Sequence, residues 1–526
     1  MKVQRPTQTQ SQLPADYFRQ VVNEHDGRLN HKKVQRPNTY LPGQLDLLGE
    51  GNPATCLQIG GFALINPRLI GPGINQLLSD LGRQLPLDFV ISDVYEPERS
   101  YEAALVDGAW NVTGEKIKRI GSEIISNRLA ALSQGSDEYP RGLPLNRVVN
   151  YVPRSLLESG ALENGVLKLD GREVEIKFGF VTTPVNDHAP AVELLTSNGI
   201  GNVYNEKPYG QAMNPQLPDI IERQMLAGAK GVDFFVYGEA ITYLKEHEDL
   251  LRQFGNLTAI HAVCSEPWLP EPGREWLMIE EIAGSGVFAD TASHSAAMTD
   301  DFIRWWCRNE GLSLNNASLD AFDRARILGY EAGDLHLETY GTTKGSLSTK
   351  DGRVEISLSG GKGAGGRPGG SQGTEESFLG MVLEFEKGRV IVNLGYPKKH
   401  NPHVVYIPDD RAEKVECHEI LNGALGYNVM LADWAVKSQG HDIADGRIQN
   451  CSTAARNAMA YLTRAYAQAK QEGYLLSFYP LGEIPMGNFA QGAVYPSIEI
   501  AGTQSAFEVM GKSAGINRNK FPFSLS

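Results

Sequence analysis

The 526-residue sequence lacks several patterns that mark whole classes of protein. Its five cysteines are widely spaced and form no CxxC pair, which argues against a disulfide scaffold and favours reduced thiols. No run reaches the ~18 consecutive apolar residues of a membrane helix, so no membrane partner is expected. The N-terminal segment is polar and has no apolar signal core, and we therefore expect a cytoplasmic protein.

The sequence also contains no dense cluster of basic residues. Its 49 Lys and Arg residues are outnumbered by 63 Asp and Glu residues, which gives a net charge of −14. A nucleic-acid-binding protein needs a local basic stripe, and the absence of one predicts no nucleic-acid partner. The sequence contains no GxSxG and no HExxH motif, so it gives no support for a serine hydrolase or a zinc protease. Hydrophobic residues make up 41% of the chain, enough for the cores of two or three domains.

Strand and helix patterns alternate along the first half of the chain. TCLQIGG and LDFVISDVY are typical of buried strands, PERSYEAALV (97–106) predicts a helix, and VDFFVYGEA (232–240) predicts a later strand. This alternation favours an α/β fold with a parallel, doubly wound sheet. We therefore predict an N-terminal extension at 1–50, followed by an NAD-binding Rossmann-type domain at 51–240.

The second half has a different pattern. GRVEISLSGG, FLGMVLEFEKG and RVIVNLGY are consecutive strand-like runs separated by glycine-rich turns, with helical segments before and after them. We predict a C-terminal α+β domain at 241–526 with a largely antiparallel open sheet for substrate binding and oligomerisation, and a glycine-rich loop at 360–373. Sheets of this kind often associate face to face, so a homo-oligomer, either a dimer or a tetramer, is expected.

A dinucleotide pyrophosphate needs a glycine turn between the first strand and the next helix. The literal GxGxxG string at 361–366 is followed by more glycine and proline, so it is a poor candidate. The better-placed turn contains Gly60, Gly61 and Phe62, directly after the first strand of the alternating region. On these residues alone, a plain strand-to-helix turn fits equally well.

Asp93 favours the cofactor interpretation because it follows the second strand. An acid at that place accepts hydrogen bonds from an adenosine ribose and repels a 2′-phosphate, which predicts NAD in preference to NADP. The alternative is an ordinary acid that caps a strand end.

Three segments together resemble the Gfo/Idh/MocA family of glucose–fructose oxidoreductase and inositol dehydrogenase. They are VISDVYEPERSYEAAL, FVTTPVNDHAPAVELLTSNGIGNVYNEKPYG with its Glu-Lys-Pro signature, and GSGVFADTASHSAAM with its Asp-x-x-x-His pattern. The resemblance extends over about 55–310. It implies a Rossmann-type fold and an NAD(P)-dependent oxidoreductase acting on the CH–OH groups of sugars or polyols.

The resemblance also assigns roles to residues of the Glu-Lys-Pro and Asp-x-x-x-His motifs. Lys207 takes the place of the family lysine, with Glu206 and Pro208 beside it at the cofactor. Asp290 and His294 take the places of the family pair that lines the same pocket against the nicotinamide. It thus implies that Lys207, Asp290 and His294 are the catalytic residues.

A further part of the resemblance concerns the Thr-Thr-Pro turn. Thr183, Pro184 and His188 match a turn that borders the cofactor in the family. Val185 occupies the position where the family often has Asn, and Asn186 lies beside it as the candidate contact.

The chemistry of these residue types agrees with the implied activity. Asp290 and His294 are four residues apart, which puts them on one face of a helix. Hydride transfer from a carbinol carbon needs a base for the hydroxyl proton, and an imidazole suits that task at neutral pH. Lys207 would stabilise the negative charge that develops on the oxygen. Without the resemblance, a solvated lysine and an ordinary helix-face pair fit the same residues.

Other candidates are weaker. Three side chains are candidates for substrate contact, with packing or strand-end polarity as the alternative: Tyr237, Glu239 and Trp276. The adjacent pairs Cys417-His418 and His247-Glu248 make poor metal ligands because neighbouring residues point in different directions. The sequence therefore predicts no metal site.

Several functions remain open at this point. The leading hypothesis is a dehydrogenase for a sugar, a polyol or a sugar derivative. A second is glycoside cleavage or epimerisation through transient oxidation, with NAD retained by the enzyme. A third is a non-catalytic protein that binds a dinucleotide, and an imine reductase is a fourth.

Overall fold

The computed structural model describes most of the chain between residues 149 and 471 and shorter stretches outside it. The described residues are 29–35, 54–60, 87–92, 101–106, 109–114, 149–183, 185–233, 239–266, 287–327, 338–362, 378–394, 402–410, 412–421, 430, 433, 437, 446–471 and 477–479.

Strands and helices are numbered here in chain order. The strands are β1 (Leu29–Gln35), β2 (Ala54–Ile59), β3 (Leu87–Ser92), β4 (Tyr101–Val106), β5 (Ala109–Gly114), β6 (Val149–Tyr151), β7 (Leu162–Glu163), β8 (Val166–Leu169), β9 (Arg172–Glu175), β10 (Phe178–Val181), β11 (Val203–Glu206), β12 (Ala229–Val232), β13 (Leu257–Glu266), β14 (Ala321–Ile327), β15 (Glu338–Thr349), β16 (Gly352–Lys362), β17 (Phe378–Phe385), β18 (Gly388–Asn393), β19 (His403–Pro408), β20 (Val415–Leu421) and β21 (Ser477–Tyr479). The helices are α1 (Val185–Ser197), α2 (Leu217–Leu226), α3 (Glu239–Glu246), α4 (Glu248–Arg252), α5 (Val287–Trp306) and α6 (Gly446–Gln471), with short helical turns at Arg154–Leu156, Leu157–Ala161 and Leu314–Asn316.

The first sheet has the order β12-β11-β10-β2-β3-β6-β4-β5. Strands β12, β11, β10, β2, β3 and β6 run parallel, and β4 and β5 add an antiparallel edge. The chain begins in the middle at β2, moves outward through β3 to β6, and returns to the other side of β2 with β10. This reversal of strand order creates a crevice between the carboxyl ends of β2 and β10, where ligands of open α/β sheets bind. The predicted parallel sheet is thus confirmed.

Strands β10 and β11 show that both faces of this sheet are covered. Every residue of both strands is buried, as expected of parallel strands with helices on both sides. A Cβ on Gly179 would lie 2.6 Å from the Leu195 side chain, so α1 packs directly against the strand backbone.

Two predicted elements of the first half were wrong. Within 97–106, residues 101–106 form strand β4 and not a helix, because its backbone pairs with β5 and β6 and tertiary pairing overrides the helix propensity of Glu, Ala and Leu. The later strand ends at Val232, and Glu239 begins helix α3 instead of ending a strand. Gly228, with φ of +101°, follows the end of helix α2, and strand β12 begins at the next residue, which is earlier than expected.

The second sheet has ten strands in the order β1-β20-β19-β18-β17-β13-β16-β15-β14-β21. Three neighbouring pairs, β1/β20, β13/β16 and β14/β21, are parallel, and the other pairs are antiparallel. The predicted, largely antiparallel sheet is therefore present. The domain boundaries at 50/51 and 240/241 stay predictions.

Strand β1 belongs to the N-terminal extension, yet it pairs with β20 at the edge of the second sheet. At least part of the extension thus covers a sheet edge that would otherwise expose unpaired backbone groups. Within the described helices, none combines the length and apolarity that crossing a bilayer requires.

Helix α5 lies unusually close to the second sheet. A Cβ on Gly360 of β16 would lie 2.5 Å from Thr291 Oγ1 and 2.8 Å from the Ala292 backbone nitrogen, and one on Gly341 of β15 would lie 2.7 Å from the Phe288 ring. Glycine on the strands and small residues on the helix therefore allow backbone-to-backbone packing. This packing fixes the position of the helix that carries Asp290 and His294.

We predict that Gly360→Ala lowers the free energy of unfolding by about 1–3 kcal/mol, because the added methyl group overpacks the contact with α5. Urea unfolding followed by circular dichroism measures the change. Gly201→Ala is the matched control, since nothing lies within 4 Å of a Cβ at Gly201. Equal losses in the two variants would contradict the role of close packing at α5.

Candidate active site

The crevice between β2 and β10 is braced by hydrogen bonds at Gly60. Its N–H donates to the Ser92 carbonyl at 2.7 Å, and Gln58 Nε2 donates to the Gly60 carbonyl at 2.9 Å. Gly60 has φ of +77°, and a Cβ there would lie 2.8 Å from Thr183 Cα. Only glycine fits this position, which brings the turn after β2 against the turn after β10.

The structure describes part of the predicted cofactor surface. Thr183 borders Gly60, and Asn186 is exposed in the first turn of α1. Of the string at 361–366, Gly361 and Lys362 belong to strand β16. The remaining predicted contacts that lie outside the described residues are Gly61, Phe62, Asp93, Pro184, Tyr237 and Trp276, and of Glu239 only the backbone is described.

Lys207 follows β11 directly and reaches the first turn of α5. Its Nζ donates to Asp290 Oδ1 at 3.0 Å and to the Asp290 carbonyl oxygen at 3.2 Å. The two side chains are 19% and 14% exposed, so the ion pair is largely removed from solvent. The lysine of the first sheet and the helix of the second thus meet at one point.

His294 lies one helical turn after Asp290 and is buried. Its Nδ1 is 2.8 Å from Oδ2 of Asp233, whose side chain is fully buried. Because an ionised carboxylate only accepts hydrogen bonds, we assign the Nδ1 proton to this contact, which leaves Nε2 as the basic nitrogen. The arrangement is an oriented imidazole of the kind used in acid–base catalysis.

Asp233 was missed by sequence reasoning. It follows β12 directly, as Lys207 follows β11, and the carboxyl ends of parallel strands share one edge of a sheet. That shared edge is the signal that could have identified it. Its backbone N–H donates to Cys451 Sγ at 3.2 Å, so helix α6 also holds this residue in place.

His188 lies between two backbone carbonyls. The ring is buried, with Nδ1 2.6 Å from the Pro208 carbonyl oxygen and Nε2 2.6 Å from the Thr183 carbonyl oxygen. Burial is the main cause that lowers the pKa of His188 to about 4; the hydrogen bonds with the two carbonyls oppose this shift, and the nearby Lys207 ammonium adds to it. A neutral imidazole has one N–H, so it donates to one of the two carbonyls. In this position His188 links the turn after β10 to the segment that carries Lys207.

Glu206 is a buried acid at the same edge. Its Oε2 accepts the Lys207 backbone N–H at 3.1 Å, and its Oε1 is buried with no hydrogen-bond partner. Burial raises the pKa of Glu206 to about 8; Lys207 opposes this shift, and Asp233 and Asp290 add to it. The side chain is therefore mostly a neutral acid at pH 7, with one oxygen available to a polar ligand.

We predict that Glu206→Gln flattens the dependence of stability on pH. Between pH 4.5 and about 8 the folded chain holds a proton that the unfolded chain has lost, so the free energy of unfolding of the parent falls as pH rises. Glutamine cannot ionise and removes this contribution. Urea unfolding of both proteins at several pH values measures the difference.

The control for this experiment is Glu175→Gln, at an exposed glutamate on β9. Its stability curve should run parallel to that of the parent chain. A difference between the Glu206→Gln curve and the parent curve that stays constant from pH 4.5 to 8 would show that Glu206 ionises normally.

Comparison with known proteins supports the fold. No family model and no curated protein match the sequence. Glucose-6-phosphate 1-dehydrogenase from Mycobacterium avium has a TM-score of 0.54 at 14% identity, over 85% of this chain and 96% of that chain. The 3-ketoreductase KijD10 from Actinomadura kijaniata, solved with NADP and TDP-benzene, has a TM-score of 0.48 at 13% identity, over 82% of this chain and 100% of that chain. The chain thus has the overall fold of the dehydrogenase.

Proposed function

We propose that this protein is a nicotinamide-dependent oxidoreductase that moves hydride between the cofactor and a carbinol carbon of a sugar, a polyol or a sugar derivative. The observation that carries the proposal is the meeting of Lys207 with Asp290, one turn before the Asp233-bound His294. The meeting point lies at the carboxyl edge of the parallel sheet, where Lys207 follows β11.

The described residues fit a nicotinamide dinucleotide. Gly60 and Thr183 form the crevice where the strand order reverses, and the unpartnered Oε1 of Glu206 lies at the same edge. When bound, the nicotinamide would donate or accept the hydride. The sequence favours NAD through Asp93, whereas the 3-ketoreductase was solved with NADP, so both cofactors belong in the test.

Lys207 would act on the substrate oxygen. An ammonium beside a forming alkoxide stabilises the developing negative charge, and it does so more strongly where water is excluded. Asp290 holds this ammonium through a hydrogen bond of 3.0 Å. Asp290 therefore positions Lys207 beside the substrate oxygen on which the negative charge develops.

His294 would take the hydroxyl proton during oxidation and return it during reduction. The hydrogen bond from Nδ1 to Asp233 orients the ring and stabilises the imidazolium that forms when Nε2 accepts the proton. Since Asp233 is fully buried and lies 2.8 Å from the ring, its charge is poorly screened where it acts on this imidazole.

The sugar-like substrate class comes from the resemblance of the Glu-Lys-Pro and Asp-x-x-x-His segments. The dehydrogenase that shares the fold is named for glucose 6-phosphate, which agrees with this class. Acid release of any copurified nucleotide with mass identification would name the cofactor. A panel of sugars, polyols and keto-sugars with NAD and NADP would then name the substrate through the absorbance of the reduced nicotinamide.

We predict that Lys207→Met lowers kcat by about 10²–10³-fold, because the group that stabilises the alkoxide is lost. His294→Ala should lower kcat by about 10²–10⁴-fold, because the proton acceptor is lost. Steady-state kinetics with the substrate found in the panel measure both. Lys177→Ala and His247→Ala, which change the same residue types away from the site, should keep the parent rate.

The same kinetics separate the proposal from its alternatives. Parent activity in both Lys207→Met and His294→Ala would refute the assigned roles. Retained NAD with turnover but no net NADH would instead favour cleavage or epimerisation through transient oxidation. Absence of any hydride transfer across the panel, with dinucleotide bound, would favour a non-catalytic binding protein.

We predict a distinct effect for Asp233→Asn. The amide can donate to Nδ1, which would leave the proton on Nε2 and remove the basic nitrogen from the substrate side. The rate should fall by up to about 10⁴-fold while the Michaelis constant changes little. A rate loss accompanied by an equal rise in the Michaelis constant would indicate damage to binding and contradict the orienting role.

A further inference from the structure

We propose that the edge of the second sheet carries a binding site for a divalent transition-metal ion, with Zn²⁺ as the expected occupant. The ligands are His31 on β1, His403 on β19 and Glu419 on β20. One ligand atom from each residue lies within 4.8 Å of the other two. The site is separate from the crevice of the first sheet and does not depend on the proposed oxidoreductase activity.

The strand register explains why these side chains converge. Glu419 of β20 is directly opposite His403 in the antiparallel pair with β19. On the other side of β20, His31 is paired with Cys417, which lies two residues before Glu419 and so shares its face. Three adjacent strands thus project two imidazoles and a carboxylate from one face of the sheet. Such register-fixed side chains are held close together by the backbone ladder.

The donor set suits zinc. Two imidazole nitrogens and one glutamate oxygen form a well-known zinc-binding combination, with bond lengths of about 2.0–2.2 Å and a water molecule as the fourth ligand. His31 Nε2 and Glu419 Oε2 are already 3.7 Å apart, close to the ligand separation that a tetrahedral site needs. Mg²⁺ and Ca²⁺ prefer all-oxygen sites and are not expected to bind.

A simple ion pair between His31 and Glu419 is the alternative explanation. His31 is 42% exposed, and an exposed pair at 3.7 Å contributes little to stability. The His403 imidazole adds a second nitrogen ligand beside this pair, with its ring centre 6.4 Å from that of His31. Lys33, in register with Glu419, adds a positive charge nearby, so we expect moderate affinity.

No local pattern predicts this site, because His31 lies far along the chain from His403 and Glu419. The position of the site in the second sheet gives a bound ion a structural role. His31 belongs to the N-terminal extension, and the other two ligands belong to the sheet that β1 joins. A bound ion would therefore fasten the extension to the edge of the second sheet.

The test uses the full chain after removal of metal with EDTA and dialysis, with Co²⁺ as the spectroscopic probe and Zn²⁺ as its competitor. We expect Co²⁺ to give a visible absorption typical of low-coordinate nitrogen and oxygen ligation, saturable at one ion per chain and removed by Zn²⁺. His31→Ala, His403→Ala and Glu419→Gln should each weaken binding at least about tenfold. His247→Ala, a histidine on the helical side of the same sheet, should leave binding unchanged.

A second measurement keeps the proposal testable if a variant is poorly folded. Lys32 and Lys33 are exposed trypsin sites within β1. Zn²⁺ should slow cleavage at these sites several-fold in the parent chain, and Mg²⁺ should not. Unchanged Co²⁺ affinity in His31→Ala and His403→Ala, or cleavage at β1 that Zn²⁺ does not slow, would overturn the proposal.

Discussion

The ion pair between Lys207 and Asp290 joins the end of one sheet to the helix packed on the other, and the candidate site depends on it. Both side chains are mostly buried, and removing one partner of a buried pair typically costs about 3–5 kcal/mol because the other charge is left uncompensated. The second anchor of α5 is its close packing on Gly360. With the helix held at both points, His294 has one position relative to the parallel sheet. The contact is thus both a structural joint and the centre of the proposed chemistry.

The charges around this joint are unequal. Asp290 and Asp233 bring two negative charges, and Lys207 brings one positive charge. Burial is the main cause that raises the pKa of Glu206, and repulsion by Asp233 and Asp290 adds to it, so a third negative charge is avoided by protonation. A slight negative excess remains when His294 is neutral. Under the proposed function, that excess would complement the positive charge of an oxidised nicotinamide ring.

The resemblance of the Glu-Lys-Pro and Asp-x-x-x-His segments identified Lys207, Asp290 and His294, whose catalytic roles stay predictions. Local signals in the sequence predicted many of the strands of both sheets. They failed where a contact between distant segments decides the outcome. Residues 101–106 have helix formers, but pairing with neighbouring strands makes them β4. Asp233 was missed because nothing local in the sequence indicates that His294 lies against it. His188 carries the sequence pattern of a cofactor neighbour, which stays a prediction, and its contacts with two distant backbone carbonyls could not be read from the sequence.

His188 also shows how the two ends of the site are connected. Thr183 abuts Gly60 in the crevice of the sheet, and its carbonyl faces one nitrogen of the His188 ring. The other nitrogen faces the carbonyl of Pro208, next to Lys207. Each of these contacts uses a backbone atom, so the spacing is set by the fold and not by long, flexible side chains. A rigid path of this kind would hold the substrate-side lysine at a constant distance from the crevice, which is what hydride transfer requires of a bound cofactor and its substrate.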